Sequence, residues 1–104
     1  MVLIHPGRIL KRELTARGLS ANRLALGLRV PSGRITDILN GKRGITPETA
    51  LRLAHFFGTS ADFWMNLQTR FDLATADNSI GAKVAAEVER ADSVGQTRKR
   101  NKVA

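Results

Sequence analysis

Between Leu19 and Gly44, two short helical patterns stand on either side of a tight break, and this pairing constrains the fold more than any other stretch. Ser20 is a favoured N-cap residue for the first pattern, and Leu19 is spaced to pack on Leu24 as a hydrophobic staple. That helix is predicted to end near Leu28. Val30-Pro31-Ser32 opens the second, which runs to Asn40 and stops at Gly41, a residue suited to the left-handed turn after a helix. Ile35, Ile38 and Leu39 give it an apolar stripe, while Ser32, Gly33, Arg34, Thr36 and Asp37 occupy its other face. Helices crossing closely at a steep angle need a small residue where they touch, and Ala25 supplies it. Leu24, Leu28, Ile35 and Leu39 are expected to form their shared core. Arg29 stands at the turn, where a residue other than glycine can take the left-handed conformation at a modest cost or the turn is displaced.

Three further helical patterns flank this pair. Pro6 to Arg17 reads as a first helix, with Leu10 and Leu14 on one face and Gly18 as its stop. Another starts at Thr46, with Pro47 and Glu48 in its first turn, Leu51, Ala54 and Phe57 as core contacts, and Gly58 at its end. Ser60 caps a fifth, whose apolar face of Phe63, Trp64, Leu67 and Phe71 is larger than one small core needs. No run alternates apolar and polar residues as a half-buried strand would. The predicted class is therefore all-α, a five-helix domain over residues 1–77. Past Thr75 the composition shifts. Ala-rich residues 79–92 allow a further helix with Ile80, Val84 and Val88 in line, and polar, basic residues 95–104 are expected to be disordered. Residues 78–104 thus read as an extension, part helical, ending in a disordered basic tail.

Composition narrows the function classes. The 104 residues carry 17 Lys and Arg against 9 Asp and Glu, a formal charge of +8 spread over every segment. A basic surface favours polyanions, of which nucleic acid is the commonest inside cells. With no cysteine there is no disulfide framework and no thiolate metal site, which fits a reducing compartment. His5 and His55 lie far apart, with no Glu-x-x-His pair and no clustered carboxylates. No catalytic residue, metal or other cofactor is expected, and His55 beside Phe56 reads as a partly buried packing residue. No apolar stretch approaches the ~20 residues of a membrane span. The opening Met1-Val2-Leu3-Ile4, broken at once by His5-Pro6-Gly7, is too short for a signal-peptide core. A cytoplasmic protein without a membrane partner is the expectation.

Basic charge and the helix pair together point to double-stranded DNA. In a helix-turn-helix the first helix crosses the backbone, and the second lies in the major groove with its N-terminal residues at the base edges. Arg34 is the best candidate for a bidentate contact to guanine, worth ~1–3 kcal/mol of discrimination. Ser32, Thr36 and Asp37 are placed to contact bases or steer Arg34, and Gly33 permits close approach. Backbone amides at Ser20, Ala21 and Asn22 offer a phosphate site at a helix N-terminus. Asn40, Lys42 and Arg43 close the interface, the two cations gripping phosphate.

From Gly18 to Lys42 the pattern resembles the Cro and phage-repressor type of helix-turn-helix, including the Leu24-Ala25 pair and the Asn40-Gly41-Lys42 ending. A narrower likeness covers residues 5 to about 74. His5-Pro6-Gly7, the run from Asn40 through Ala54, and Phe57 to Trp64 with Asn66-Leu67-Gln68 are similar to the HigA-type antitoxins. That resemblance implies a homodimeric repressor of its own operon, one that also neutralises a cognate small basic toxin of the RelE-like, mRNA-cleaving type. Ser32-Gly33-Arg34 departs from the Pro-Ser-Arg more usual in the family, which bears on the operator sequence.

One such domain reads only a few base pairs, so specific binding to a palindromic operator needs two copies about one DNA turn, ~34 Å, apart. Phe63, Trp64, Leu67 and Phe71 are the expected dimer contacts, with Phe63 and Leu67 inside and Trp64 or Phe71 partly at the interface. Two rival readings are a stand-alone phage-repressor-type regulator without a toxin and a protein-interaction module. The module would lack the salt-dependent DNA affinity that phosphate contacts confer. Arg98-Lys99-Arg100 with Lys102 suits extra phosphate contact better than a basic toxin.

Overall fold

A computed structural model describes residues 2–94. Among these run six helices: α1 (Pro6–Arg17), α2 (Ala21–Leu28), α3 (Ser32–Leu39), α4 (Pro47–Phe57), α5 (Ala61–Glu87) and the four-residue α6 (Ala91–Val94). No strand occurs among the described residues. Local chemistry explains the helix starts. Side chains of Ser20, Thr46 and Ser60 accept from the amides of Arg23, Thr49 and Phe63, three residues on. At α1 the cap is His5, whose Nδ1 accepts from the Gly7 amide at 2.9 Å. Arg29 ends α2 in the left-handed conformation (φ 63°, ψ 44°), the one non-glycine with positive φ among the described residues. Bonds from the Arg29 amide to the Leu26 carbonyl and from the Val30 amide to the Ala25 carbonyl hold that turn.

The core gathers Leu10 and Leu14 of α1, Leu24, Ala25 and Leu28 of α2, and Ile35 and Ile38 of α3. Ile45, then Ala50, Leu53 and Phe57 of α4, and Trp64 of α5 complete it. Within α3, Ile38 rather than Leu39 is fully buried; Leu39 sits half-buried on the flank. Leu51 corrects a second expectation. It is 57% exposed, because α4 turns residues 50, 53, 54 and 57 inward and a neighbour one step along lies ~100° around the helix.

The fifth helix overturns two expectations. It does not stop near Thr75 before a separate helix over 79–92, but continues to Glu87 and ends where Val88 turns extended (φ −86°, ψ 127°). Nothing from Thr75 to Glu87 breaks it except Gly81, and one interior glycine costs only ~1 kcal/mol. The boundary expected at 77/78 therefore falls inside a continuous helix, although burial stops at Ala74. Its free half makes the molecule long, 59 × 26 × 22 Å. Residues 95–104, with the expected disordered tail, lie outside the described residues. No helix among the described residues is long and apolar enough to cross a membrane.

Candidate nucleic-acid interface

With Ile35 and Ile38 turned into the core, the opposite face of α3 is outward. Ser32, Gly33, Thr36 and Asn40 are exposed there, flanked by half-buried Arg34 and Asp37. The N-terminus of α3 is capped by Pro31, with no side-chain acceptor and no acidic residue in the first turn. The amides of Ser32 and Gly33 thus remain at the positive end of the helix dipole without an intrahelical acceptor. At α2, the Ser20 hydroxyl takes the Arg23 amide, which leaves the first-turn amides of Ala21 and Asn22 for an anion. Thr36 Oγ1 donates to the Ser32 carbonyl at 3.2 Å, which occupies the hydroxyl hydrogen within the helix.

Arg34 is tethered from α4, whereas Asp37, expected to contact bases or steer Arg34, pairs elsewhere. Its Nη1 lies 3.7 Å from Glu48 Oε1. Glu48 Oε2 accepts from Arg52 Nε and Nη2 at 3.2 and 3.0 Å, and Arg52 Nη1 donates to the Leu28 carbonyl at 2.9 Å. One carboxylate therefore joins the end of α2, α3 and α4. The pair is solvent-facing, and exposed ion pairs are worth only about 0–1 kcal/mol, so a base edge can draw Arg34 away. Asp37 instead approaches Arg43 Nη2 at 3.8 Å, while its carbonyl accepts the amides of Lys42 and Arg43. Both cations are exposed on the loop after α3.

His5 has a tertiary role of which local sequence patterns gave no hint. His5 stacks edge-on against Phe71 of α5, with ring centroids 4.8 Å apart, and its ring lies against Gly41. Burial holds its pKa below the ordinary 6.5, with Asp72 partly opposing the shift. A protonated ring would have no Nδ1 lone pair for the Gly7 amide. The folded state therefore prefers neutral His5. Its contribution is intact above the unfolded value of 6.5 and is lost as pH falls below that value through the depressed one. Melting temperature should decline from pH 7 to 5.5, and His5→Asn, which keeps a cap acceptor, should flatten that decline. Parallel pH profiles for the two proteins would refute the linkage.

The residues expected at a dimer contact are distributed differently. Trp64 is 0% exposed, with Nε1 donating to Thr59 Oγ1 at 3.0 Å, and packs beside Phe57; it is core and cannot meet another copy. Phe63 is 42% exposed and faces outward, the reverse of the expected division. Leu67 packs half-buried on the core and Phe71 on His5. The exposed apolar row on α5 is instead Leu73, Ile80 and Val84, with Val88 just beyond, on the side opposite Trp64. His55 is exposed, and not the partly buried packing residue expected. Among the described residues no cluster of three or more His, Asp or Glu is able to hold a metal ion.

Comparisons with known proteins agree with this geometry. Residues 10–64 match the model of the helix-turn-helix family. Virulence-associated protein I of Dichelobacter nodosus is 50% identical over 78 residues, spanning 74% of this chain and 72% of that protein. Among solved structures, an addiction module antidote protein of a HigA family from Coxiella burnetii superposes with a TM-score of 0.84 at 50% identity. That match covers 86% of this chain and 99% of the other. The Pseudomonas aeruginosa antitoxin HigA, solved with the higBA promoter, gives 0.82 at 43% identity and covers 85% and 97%.

Proposed function

Since the chain belongs to the helix-turn-helix family, in its HigA-type group of DNA-binding antitoxins, we propose that it represses its own toxin–antitoxin operon and neutralises a cognate small basic toxin of RelE-like, mRNA-cleaving type. The family acts by binding and not by catalysis. The observation that carries the reading is the outward polar face of α3, rigidly backed by fully buried Ile35 and Ile38. Arg34 reads guanine from the major groove, Gly33 lets α3 approach closely, and Ser32, Thr36 and Asn40 contact neighbouring base edges or sugar-phosphate. Amides at the start of α2 and the side chains of Lys42 and Arg43 hold the backbone on either side. The chain works in the cytoplasm as a homodimer on a palindromic operator. Its exposed Leu73, Ile80 and Val84, seven and four residues apart on one face of α5, form the contact between copies.

Footprinting on the DNA upstream of the gene tests this reading. Protection of an inverted repeat is expected. Arg34→Ala should lose ~1–3 kcal/mol of operator affinity, about 5- to 150-fold, and relax the preference at one base pair in each half-site. Lys42→Ala should weaken operator and scrambled duplex alike and reduce the salt slope by ~1. Equal losses on unrelated duplexes for both variants would remove Arg34 from the reading role. Capture of a basic protein encoded by an adjacent reading frame, with relief of its RNA cleavage, separates the antitoxin from a stand-alone regulator.

A further inference from the structure

We infer that Gln68, on α5, is a positioning residue for DNA binding, because it fixes the loop that carries Lys42 and Arg43. This rests on the reading above that those two cations grip phosphate. The first half of the loop is tied to α3: the Gly41 amide donates to the Ile38 carbonyl, and the Lys42 and Arg43 amides donate to the Asp37 carbonyl at 2.8 and 3.2 Å. Its second half has no such tie. There the Ile45 amide donates at 2.7 Å to Gln68 Oε1, from a residue only 3% exposed whose amide cannot turn to water instead. Gln68 Nε2 donates to Asp72 Oδ1 at 2.9 Å, which sets the carboxamide with its oxygen toward the loop. The backbone lies flat on that carboxamide: a Cβ on Gly44 would come within 2.9 Å of it. The loop is thus clamped between α3 and α5, so the placement of its two cations depends on a side chain from another helix.

The clamp also joins two functions. α5 carries the apolar row proposed to bind a second copy, so one helix holds both that row and the loop with the two cations. Sequence spacing alone gives no sign of this, since the two bonded residues are 23 apart.

Operator affinity of the full chain, measured over a range of salt concentrations, tests the role, together with hydrogen exchange at Ile45. Gln68→Ala should lose operator affinity by about tenfold with a salt slope shallower by ~1, as one phosphate contact becomes ineffective. Ile45 should exchange faster, and helical content should be retained. The double variant Gln68→Glu/Asp72→Asn keeps an acceptor for Ile45, reverses the second bond and leaves net charge unchanged; it should restore affinity and slope. Should Gln68→Ala unfold, Gly44→Ala reads the same clamp from the loop side and should show the same shallower slope. Unchanged affinity and slope in a folded Gln68→Ala protein would overturn the role, as would failure of the double variant to restore them. A paired Lys42→Ala/Arg43→Ala variant distinguishes the premises. If it binds like the parent, the loop grips no phosphate and both readings fall; if it alone loses affinity, only Gln68 falls.

Discussion

Trp64→Ala is expected to cost ~3–5 kcal/mol of folding stability, the range for emptying a buried aromatic site. In a domain of this size, that lowers the melting temperature on the order of 20 °C. Trp64 heads the fully buried side chains by volume, and its ring packs on Phe57 of α4 with centroids 5.9 Å apart. Removing it also strips Thr59 Oγ1 of its indole donor and loosens α5 from the bundle beneath it. Phe63→Ala is the control. Although adjacent and equally aromatic, Phe63 is 42% exposed, and its loss should cost about half as much, through its edge-on contact with Trp64 at 5.0 Å. Circular dichroism melts give the comparison. A Trp64→Ala protein that melts within a few degrees of the parent but dissociates into single chains would return this residue to the dimer contact.

Gly7→Ala should be the second most disruptive change, for a reason of distance and not of burial lost. A Cβ on Gly7 would meet the Ile38 carbonyl oxygen at 2.0 Å and its carbon at 2.9 Å, and neither is a flexible side-chain end. Helix α1 would have to lift from the last turn of α3. Overpacking of this kind costs typically ~1–3 kcal/mol. Because that turn leads into Asn40 and Lys42, operator affinity should fall too, even far below the melting temperature. Gly33→Ala separates the two effects. Nothing lies within 4 Å of a Cβ there, so the protein should gain up to ~1 kcal/mol from helix propensity while losing close approach to DNA. If Gly7→Ala melts and binds like the parent, the tight crossing of α1 and α3 has no energetic weight.

Glu48 illustrates why part of the site was hidden from the sequence. Its place in the first turn of α4 made it a helix-dipole residue, and it is one. That it also meets Arg34 of α3, and shares Arg52 with the Leu28 carbonyl 24 residues away, follows from how α2, α3 and α4 close on one another. His5 and Gln68 belong to the same class: each acts across an inter-helix gap that no local periodicity encodes. The polar rim of Ser32, Gly33, Thr36 and Asn40 was legible, because the buried partners Ile35 and Ile38 lie on the same short helix and fix its outward side.

Sequence alone determined the starts and stops of the first four helices and the outward face of α3. All of these are set by backbone bonds and side chains within a few residues of one another. Tertiary structure alone decided which aromatic of the Phe63-Trp64 pair went inward. Both choices give α5 an apolar face, and they differ by a rotation of the helix of ~100°, decided by the packing of Trp64 into the assembled core. It likewise decided that α5 runs on to Glu87 and that the loop after α3 is held from α5. Contacts between residues 20 or more apart are fixed by the shape of the whole core, which is a property of the packed chain and of no single segment.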